Sequence, residues 1–245
     1  MKEFAGSGVL SSPPGSNGEH WRDGVVLRDR KTEVLASIIR ERVGRPIRRL
    51  LVVGCGPGKE AAVLAAALGT EVVGIDLHAV FDPQAAAAVE LRKGDATRLE
   101  FADQSFDFVY SFHVLEHIPD CTGALVEMRR VLAEGGAYCI GTPNRLRWVG
   151  YLGSQDTTWR ERLAWNVADW KAKACGRFRN EFGAHAGFSP AELKKMLEEV
   201  FGEAAEITFR YYLGVYRRHA ALVNLLGRSG LDRFLFPAVY FMGRR

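Results

Sequence analysis

Residues 50–60 read Leu50-Leu51-Val52-Val53-Gly54-Cys55-Gly56-Pro57-Gly58-Lys59-Glu60. A short apolar run rich in β-branched residues stops at three alternating glycines, and an alanine-rich helical pattern follows to Leu68. The stretch predicts strand, tight loop and helix. Glycine suits such a loop because it accepts positive φ and because a ligand can approach bare backbone where no Cβ intervenes. The spacing separates candidate ligands. A dinucleotide fingerprint is G-x-G-x-x-G, whereas Lys59 stands in the place of the third glycine and the run is G-x-G-x-G. That weakens an NAD reading.

Working outward, the helix from Lys59 to Leu68 stops at Gly69, and Glu71 to Ile75 forms a second strand ending at Asp76. In a βαβ unit of this kind a carboxylate roughly 20 residues beyond the loop lies beside it, where its oxygens can accept ribose hydroxyls. A short helix capped by Asp82, with Pro83 in its first turn, leads to a third strand through Val89 and Leu91 into Gly94-Asp95-Ala96. The fourth strand, Phe106 to Ser111, runs into Phe112-His113-Val114-Leu115-Glu116-His117-Ile118-Pro119-Asp120. A helix capped by Asp120 follows, with Leu125, Val126, Met128 and Leu132 as its apolar face and Gly135-Gly136 as its end. The fifth strand is Ala137 to Gly141, closing on Thr142 to Arg145.

Upstream, Val34, Leu35, Ile38, Ile39 and Val43 have helical spacing from Asp29 to the stop at Gly44 and Pro46. Residues 1–18 are rich in Gly, Ser and Pro, a composition that buries too little apolar surface to offset ordering, so a mobile segment is expected over residues 1–28. Strands alternating with helices imply a doubly wound, mostly parallel α/β sheet whose ligands lie outside the carboxyl ends of the strands. Asp76, Asp95, Ser111 to His117 and Thr142 to Arg145 all fall at those ends. They are expected to converge on one cleft.

The 245 residues are 47% hydrophobic, enough for one sizeable core. The 33 basic and 29 acidic residues are interspersed, so the formal charge of +4 implies no nucleic-acid partner. Cys55, Cys121, Cys139 and Cys175 are far apart in sequence, which suggests neither a disulfide framework nor a zinc site and fits a reducing compartment. No signal-peptide pattern and no apolar run of 18 residues is found, so a cytoplasmic protein is expected.

In this order the pieces resemble the class I S-adenosylmethionine-dependent methyltransferases, in particular the quinone-biosynthesis and small-molecule branch. The resemblance rests on Val53 to Gly58, Gly74-Ile75-Asp76, Gly94-Asp95-Ala96, Ser105-Phe106-Asp107 through His113 to Asp120, and Leu132 to Gly136. It implies a Rossmann-like fold of seven strands, the seventh antiparallel between the fifth and sixth, over residues 29–245. The sixth strand is expected at Ala205 to Tyr212, after a helix opened by Ser189-Pro190, and the seventh at Pro237 to Gly243. The resemblance also implies S-adenosyl-L-methionine as cofactor. Gly54, Cys55, Gly56 and Gly58 would lie against its methionine part, Asp76 and Leu77 at the ribose, Asp95 and Ala96 at the adenine edge, and Ser111 and Phe112 along the methionine moiety. Family members often carry an acid two residues before the first glycine; here that place is Val52.

Methyl transfer is an in-line displacement, so the enzyme chiefly holds nucleophile and methyl carbon about 3 to 3.5 Å apart and aligned. A hydroxyl or protonated amine acceptor also needs a base, and histidine is suited to neutral pH. His117 is the first candidate, with His113 and His185 as alternatives; packing or capping is the competing role for His117. The run His113 to His117 also fits H-x-x-E-H, but it leaves a strand directly and meets Pro119, so no metal is expected.

Residues 146–188 hold four of the five tryptophans, and Trp159, Leu163, Val167 and Trp170 share a helical face after a possible cap at Asp156. A helix packed on the core is favoured there over a lid covering an apolar or aromatic acceptor. Residues 214–236 mix leucines with Arg217, Arg218, Arg228 and Arg233, and a packed helix is favoured over peripheral membrane contact. The function expected is methyl transfer to oxygen or nitrogen of a small molecule. The alternatives are a non-catalytic cofactor-binding regulator or scaffold, to which Val52 points, and an NAD-dependent oxidoreductase.

Overall fold

A computed structural model of the chain describes residues 28–151, 157–182 and 185–245. The expected mobile start, save Arg28, and the expected cap Asp156 lie outside the described residues. Seven strands, β1 (Arg49–Val53), β2 (Glu71–Asp76), β3 (Glu90–Lys93), β4 (Phe106–Phe112), β5 (Leu132–Pro143), β6 (Ala205–Glu206) and β7 (Ala238–Arg244), form one sheet in the order β3-β2-β1-β4-β5-β7-β6. Strands β1 to β5 run parallel, and β7 lies antiparallel between β5 and β6.

The central strands read as unbroken apolar runs because both faces are covered. Leu50, Val52, Phe108 and Tyr110 face one core with α1 (Arg30–Val43), α2 (Lys59–Leu68) and α7 (Thr208–Val215). Leu51, Val53, Val109 and Ile140 face another with α4 (Cys121–Val131) and α6 (Pro190–Phe201). Local caps set the helix starts: Asp29 accepts the Lys31 and Thr32 amides, Asp82 those of Gln84 and Ala85 at α3 (Pro83–Ala88), and Ser189 and Glu192 form a capping box on α6.

Two boundaries differ from the sequence expectation. Helix α4 ends at Val131, and Leu132 already pairs with Phe106 before the register jumps to Ala137 opposite Phe108. Gly135 and Gly136 therefore lie inside β5, where Gly135 takes φ +65 in the irregular stretch. Val126, expected on the apolar face of α4, is 51% exposed.

The expected sixth strand over 205–212 stops at Glu206, and Thr208 opens α7. The Ile207 amide reaches the Tyr240 carbonyl at 2.9 Å, but the next rung is made by a side chain, since the Tyr240 amide donates to Thr208 Oγ1 at 3.0 Å. Freed from the ladder, the backbone turns helical. Tyr211 then packs on Tyr240 at 4.3 Å and Tyr212 on Phe236 at 4.1 Å, a burial that outweighs the β propensity of the aromatic run.

Candidate functional site

The carboxyl ends of β1, β2, β4 and β5 open on one side of the sheet. Gly54, Gly56 and Gly58 take φ +73, +51 and +92, a sequence of left-handed turns that only glycine adopts without strain. The amides of Gly54 and Cys55 both donate to the Ile75 carbonyl, at 2.8 and 2.9 Å, and tie the loop to β2. The three glycines are not equivalent. A Cβ on Gly54 would overlap Val114 and one on Gly58 would overlap Leu91, whereas over Gly56 there is nothing within 4 Å. Bare backbone is offered to a ligand at Gly56; at the other two it is offered to neighbouring side chains.

Asp76 Oδ2 accepts the Gly56 amide at 2.9 Å, while Oδ1 accepts the amides of His78 and Ala79 at 3.0 and 2.9 Å. Two carboxylate oxygens have about four acceptor sites. Three are occupied by the protein itself, which leaves Oδ2 with room for one further donor. Cys55 is buried, and burial followed by the charge of Asp76 pushes its thiol up to about 12, so it stays protonated. Leu77 is 53% exposed beside Asp76. Asp95 is fully exposed, and the Thr97 amide and hydroxyl, at 2.8 and 2.7 Å from Oδ1, hold its carboxyl below the usual range; Ala96 follows, partly buried.

At the end of β4, Ser111 is buried and its Oγ has no partner. Phe112 stacks on Tyr240 at 4.9 Å and meets the His113 ring at a tilt, 3.9 Å between centroids. His113 takes φ +56, a left-handed conformation uncommon outside glycine. The protein packed around that ring, then Arg147, holds its pKa below the ordinary histidine range. A single 3-10 turn, Leu115–His117, follows, so His113 and His117 do not share a regular helix. Among the described residues no three His, Cys, Asp or Glu side chains gather as metal ligands.

The fold brings His117 and His185 together although 68 residues separate them: their rings meet edge to face at 4.7 Å. Partial burial lowers the pKa of both, and the charge of Arg147 adds to the effect at His185. Both rings are therefore neutral at pH 7. Glu116, which sequence reasoning passed over, has a fully buried side chain with neither oxygen hydrogen-bonded and lies 3.9 Å from His117 Nε2. Burial raises its pKa to about 8.

Arg147 was equally invisible in the sequence. It is 4% exposed, pairs with Asp169 at 2.9 Å and donates to the carbonyls of Asn144, His185 and Ala186. Through it the segment after β5 anchors α5 (Trp159–Ala174), aided by Asn166 and Gly150, bonded in both directions, and by Trp170 Nε1 to the Trp148 carbonyl at 2.6 Å. The cap of α5 is Thr158, in a capping box with Glu161.

Of the face expected to pack on the core, Val167 is partly buried, whereas Trp159, Leu163 and Trp170 are 69%, 50% and 45% exposed. Of Thr142 to Arg145, Asn144 is consumed in bonds to the carbonyls of Arg233 and Phe236, and Arg145 in an ion pair with Glu192. In residues 214–236 only part of the helical stretch packs, Val223 being buried and Leu222 and Leu225 exposed on α8 (Ala220–Ser229). No helix among the described residues is long and apolar enough to cross a membrane. An open groove lined by Val126, Arg129, Met196 and Val200 lies on the α4 and α6 flank, near Arg245 and away from the strands' carboxyl ends.

Comparison with known proteins matches residues 51–140 to the family described as "Methyltransferase domain". The ubiquinone biosynthesis O-methyltransferase of Cereibacter sphaeroides is 36% identical over 160 residues, covering 61% of this chain and 63% of that protein. The chloroplastic tocopherol O-methyltransferase of Arabidopsis thaliana is 35% identical over 116 residues, 44% of this chain and 33% of that one. Among solved structures, phosphoethanolamine N-methyltransferase 2 of Haemonchus contortus, in complex with S-adenosyl-L-methionine, shares the fold. Its TM-score is 0.51 at 20% identity over 85% of this chain and 51% of that one. The chain spans 31–39% of the length of the first three curated relatives it matches.

Proposed function

We propose that this chain, whose residues 51–140 match a methyltransferase domain, is a class I S-adenosylmethionine-dependent methyltransferase that methylates an oxygen or nitrogen of a small-molecule acceptor. The observation that carries the reading is the open backbone over Gly56, held in place by Asp76 at the carboxyl ends of β1 and β2. Further support for the cofactor comes from the spare acceptor site on Asp76 Oδ2 and from the unpartnered, buried Ser111 Oγ at the end of β4.

When bound, the cofactor supplies an electrophilic methyl group on a sulfonium. The chain's own residues have three tasks. Gly56 lies against the methionine part of the cofactor, and Asp76 and the loop around Asp95 receive the nucleoside. His117 or His185, neutral at pH 7, takes the acceptor proton as the new bond forms. The exposed aromatic face of α5 covers an apolar or aromatic acceptor and keeps water out. The ubiquinone and tocopherol enzymes among the relatives favour oxygen on such a molecule.

The test is to incubate the full chain with S-adenosyl-L-methionine and a panel of phenolic, sugar and amine acceptors and to assay S-adenosyl-L-homocysteine. Acceptor-dependent product is expected. Cofactor binding without turnover on any acceptor would favour the non-catalytic regulator, and no binding would overturn both.

A further inference from the structure

The amino-acid end of S-adenosylmethionine carries an ammonium, and a cation held in a partly dry site needs a counter-charge. β1 offers none, since Leu50 to Val53 are apolar and buried. The carboxylate nearest in sequence beyond the loop is Glu60, two residues after Gly58 in the first turn of α2. It is partly buried and braced from β4. Tyr110, paired in register with Val52 on β4, donates its hydroxyl to Glu60 Oε1 at 2.6 Å, while the Thr32 hydroxyl on α1 is taken by the Asp29 carboxylate.

The surroundings leave this acid short of positive charge. Burial first, and the nearby Asp29 as a lesser cause, push its pKa up to about 7, and Tyr211 and Cys139 add no cation. An acid poised in this way is readily ionised by an arriving ammonium. The first turns of α1 and α2 and the end of β4 meet here: Lys31 on α1 contributes to the depressed pKa of His113. The site flanks the glycine loop on the side of the sheet shared by Val52 and Tyr110.

We propose that the Glu60 carboxylate, braced by Tyr110, is the counter-charge for the ammonium of the ligand's amino-acid moiety. It thereby makes the site prefer ligands that carry this moiety over bare nucleosides. The inference rests on the cofactor reading above and deepens it.

The test is calorimetric titration of wild type, Glu60→Gln and Tyr110→Phe with two ligands: S-adenosyl-L-homocysteine, and 5′-methylthioadenosine, which has the same nucleoside but no amino-acid moiety. Glu60→Gln is expected to weaken the first about tenfold and leave the second unchanged, as loss of a charge-assisted bond requires. Tyr110→Phe should move the same ligand in the same direction by about threefold, and it carries the test if Glu60→Gln does not fold. Equal loss for both ligands, or no loss for either, overturns the role of Glu60 while wild-type binding keeps the cofactor reading intact. Wild type that binds neither ligand overturns the cofactor reading itself.

Discussion

Asp76 Oδ2 and the Gly56 amide meet at 2.9 Å across 20 residues of sequence, so the acid that ends β2 also sets the shape of the loop that ends β1. One carboxylate serves the loop and borders the ground a ligand would take. On the proposed function, loop geometry and ligand affinity are coupled through it.

The glycines of that loop predict opposite outcomes for one substitution. Gly56→Ala meets open space and bears only the left-handed φ penalty, about 1–2 kcal/mol, so the protein should fold while its Cβ intrudes on bound ligand. Gly54→Ala bears the same penalty and in addition collides with Val114. Thermal melts and titration with S-adenosyl-L-homocysteine check both: a modest fall in Tm with lost binding for Gly56→Ala, and a distinctly larger fall in Tm for Gly54→Ala.

Glu116 predicts a pH dependence of stability. Its folded pKa of about 8 lies above the ordinary glutamate value of 4.5, so between these the folded chain keeps a proton that the unfolded chain releases. Its contribution is intact below about 4.5 and is lost as pH rises through 8. Glu116→Gln, which stays neutral throughout, should show a smaller decline in Tm from pH 5 to pH 8 than wild type. Parallel melting curves for the two proteins would contradict the buried, unpartnered state.

The paired rings of His117 and His185 predict where the acid limb of activity lies. Both pKa values are lowered, so turnover should persist to a pH below the ordinary histidine range before protonation removes the base. His117→Asn should lower kcat by about 100-fold or more if it is that base, with affinity for S-adenosyl-L-homocysteine retained. If His185→Asn gives the larger loss, the role passes to His185.

The exposed face of α5 predicts a specificity defect without a stability defect. Trp159→Ser and Leu163→Ser remove side chains that are at least half exposed, so the free energy of unfolding should change by no more than about 0.5 kcal/mol, the range of surface substitutions. The acceptor KM should rise while that for S-adenosyl-L-methionine holds. Unfolding of either variant would return the helix to a core role.

The parallel sheet was legible because burial on both faces leaves a plain mark, the unbroken runs Leu50 to Val53 and Phe108 to Tyr110. The glycine loop, Asp76 and the caps at Asp29, Asp82 and Asp120 were legible because each is a local solution to a local demand. What escaped notice is long-range. Whether Tyr211 and Tyr212 extend a strand or turn into α7 is decided by Thr208 Oγ1 taking a rung of β7, a contact across 32 residues. Arg147 acquires its place from Asp169 and from carbonyls of Asn144, His185 and Ala186, and no motif announces it. The exposed tryptophans of α5 have the spacing of a core helix, since periodicity reports a common face and not what covers it.

The most direct measurement is calorimetric titration of wild type, Asp76→Asn and Asp76→Ala with S-adenosyl-L-homocysteine, with melts run alongside. Wild type should bind one equivalent. Asp76→Ala, which strips the Gly56, His78 and Ala79 amides of their acceptors, should bind at least about tenfold more weakly, and Asp76→Asn should fall between. No heat with folded wild type, or an Asp76→Ala curve that overlays it, would contradict the account.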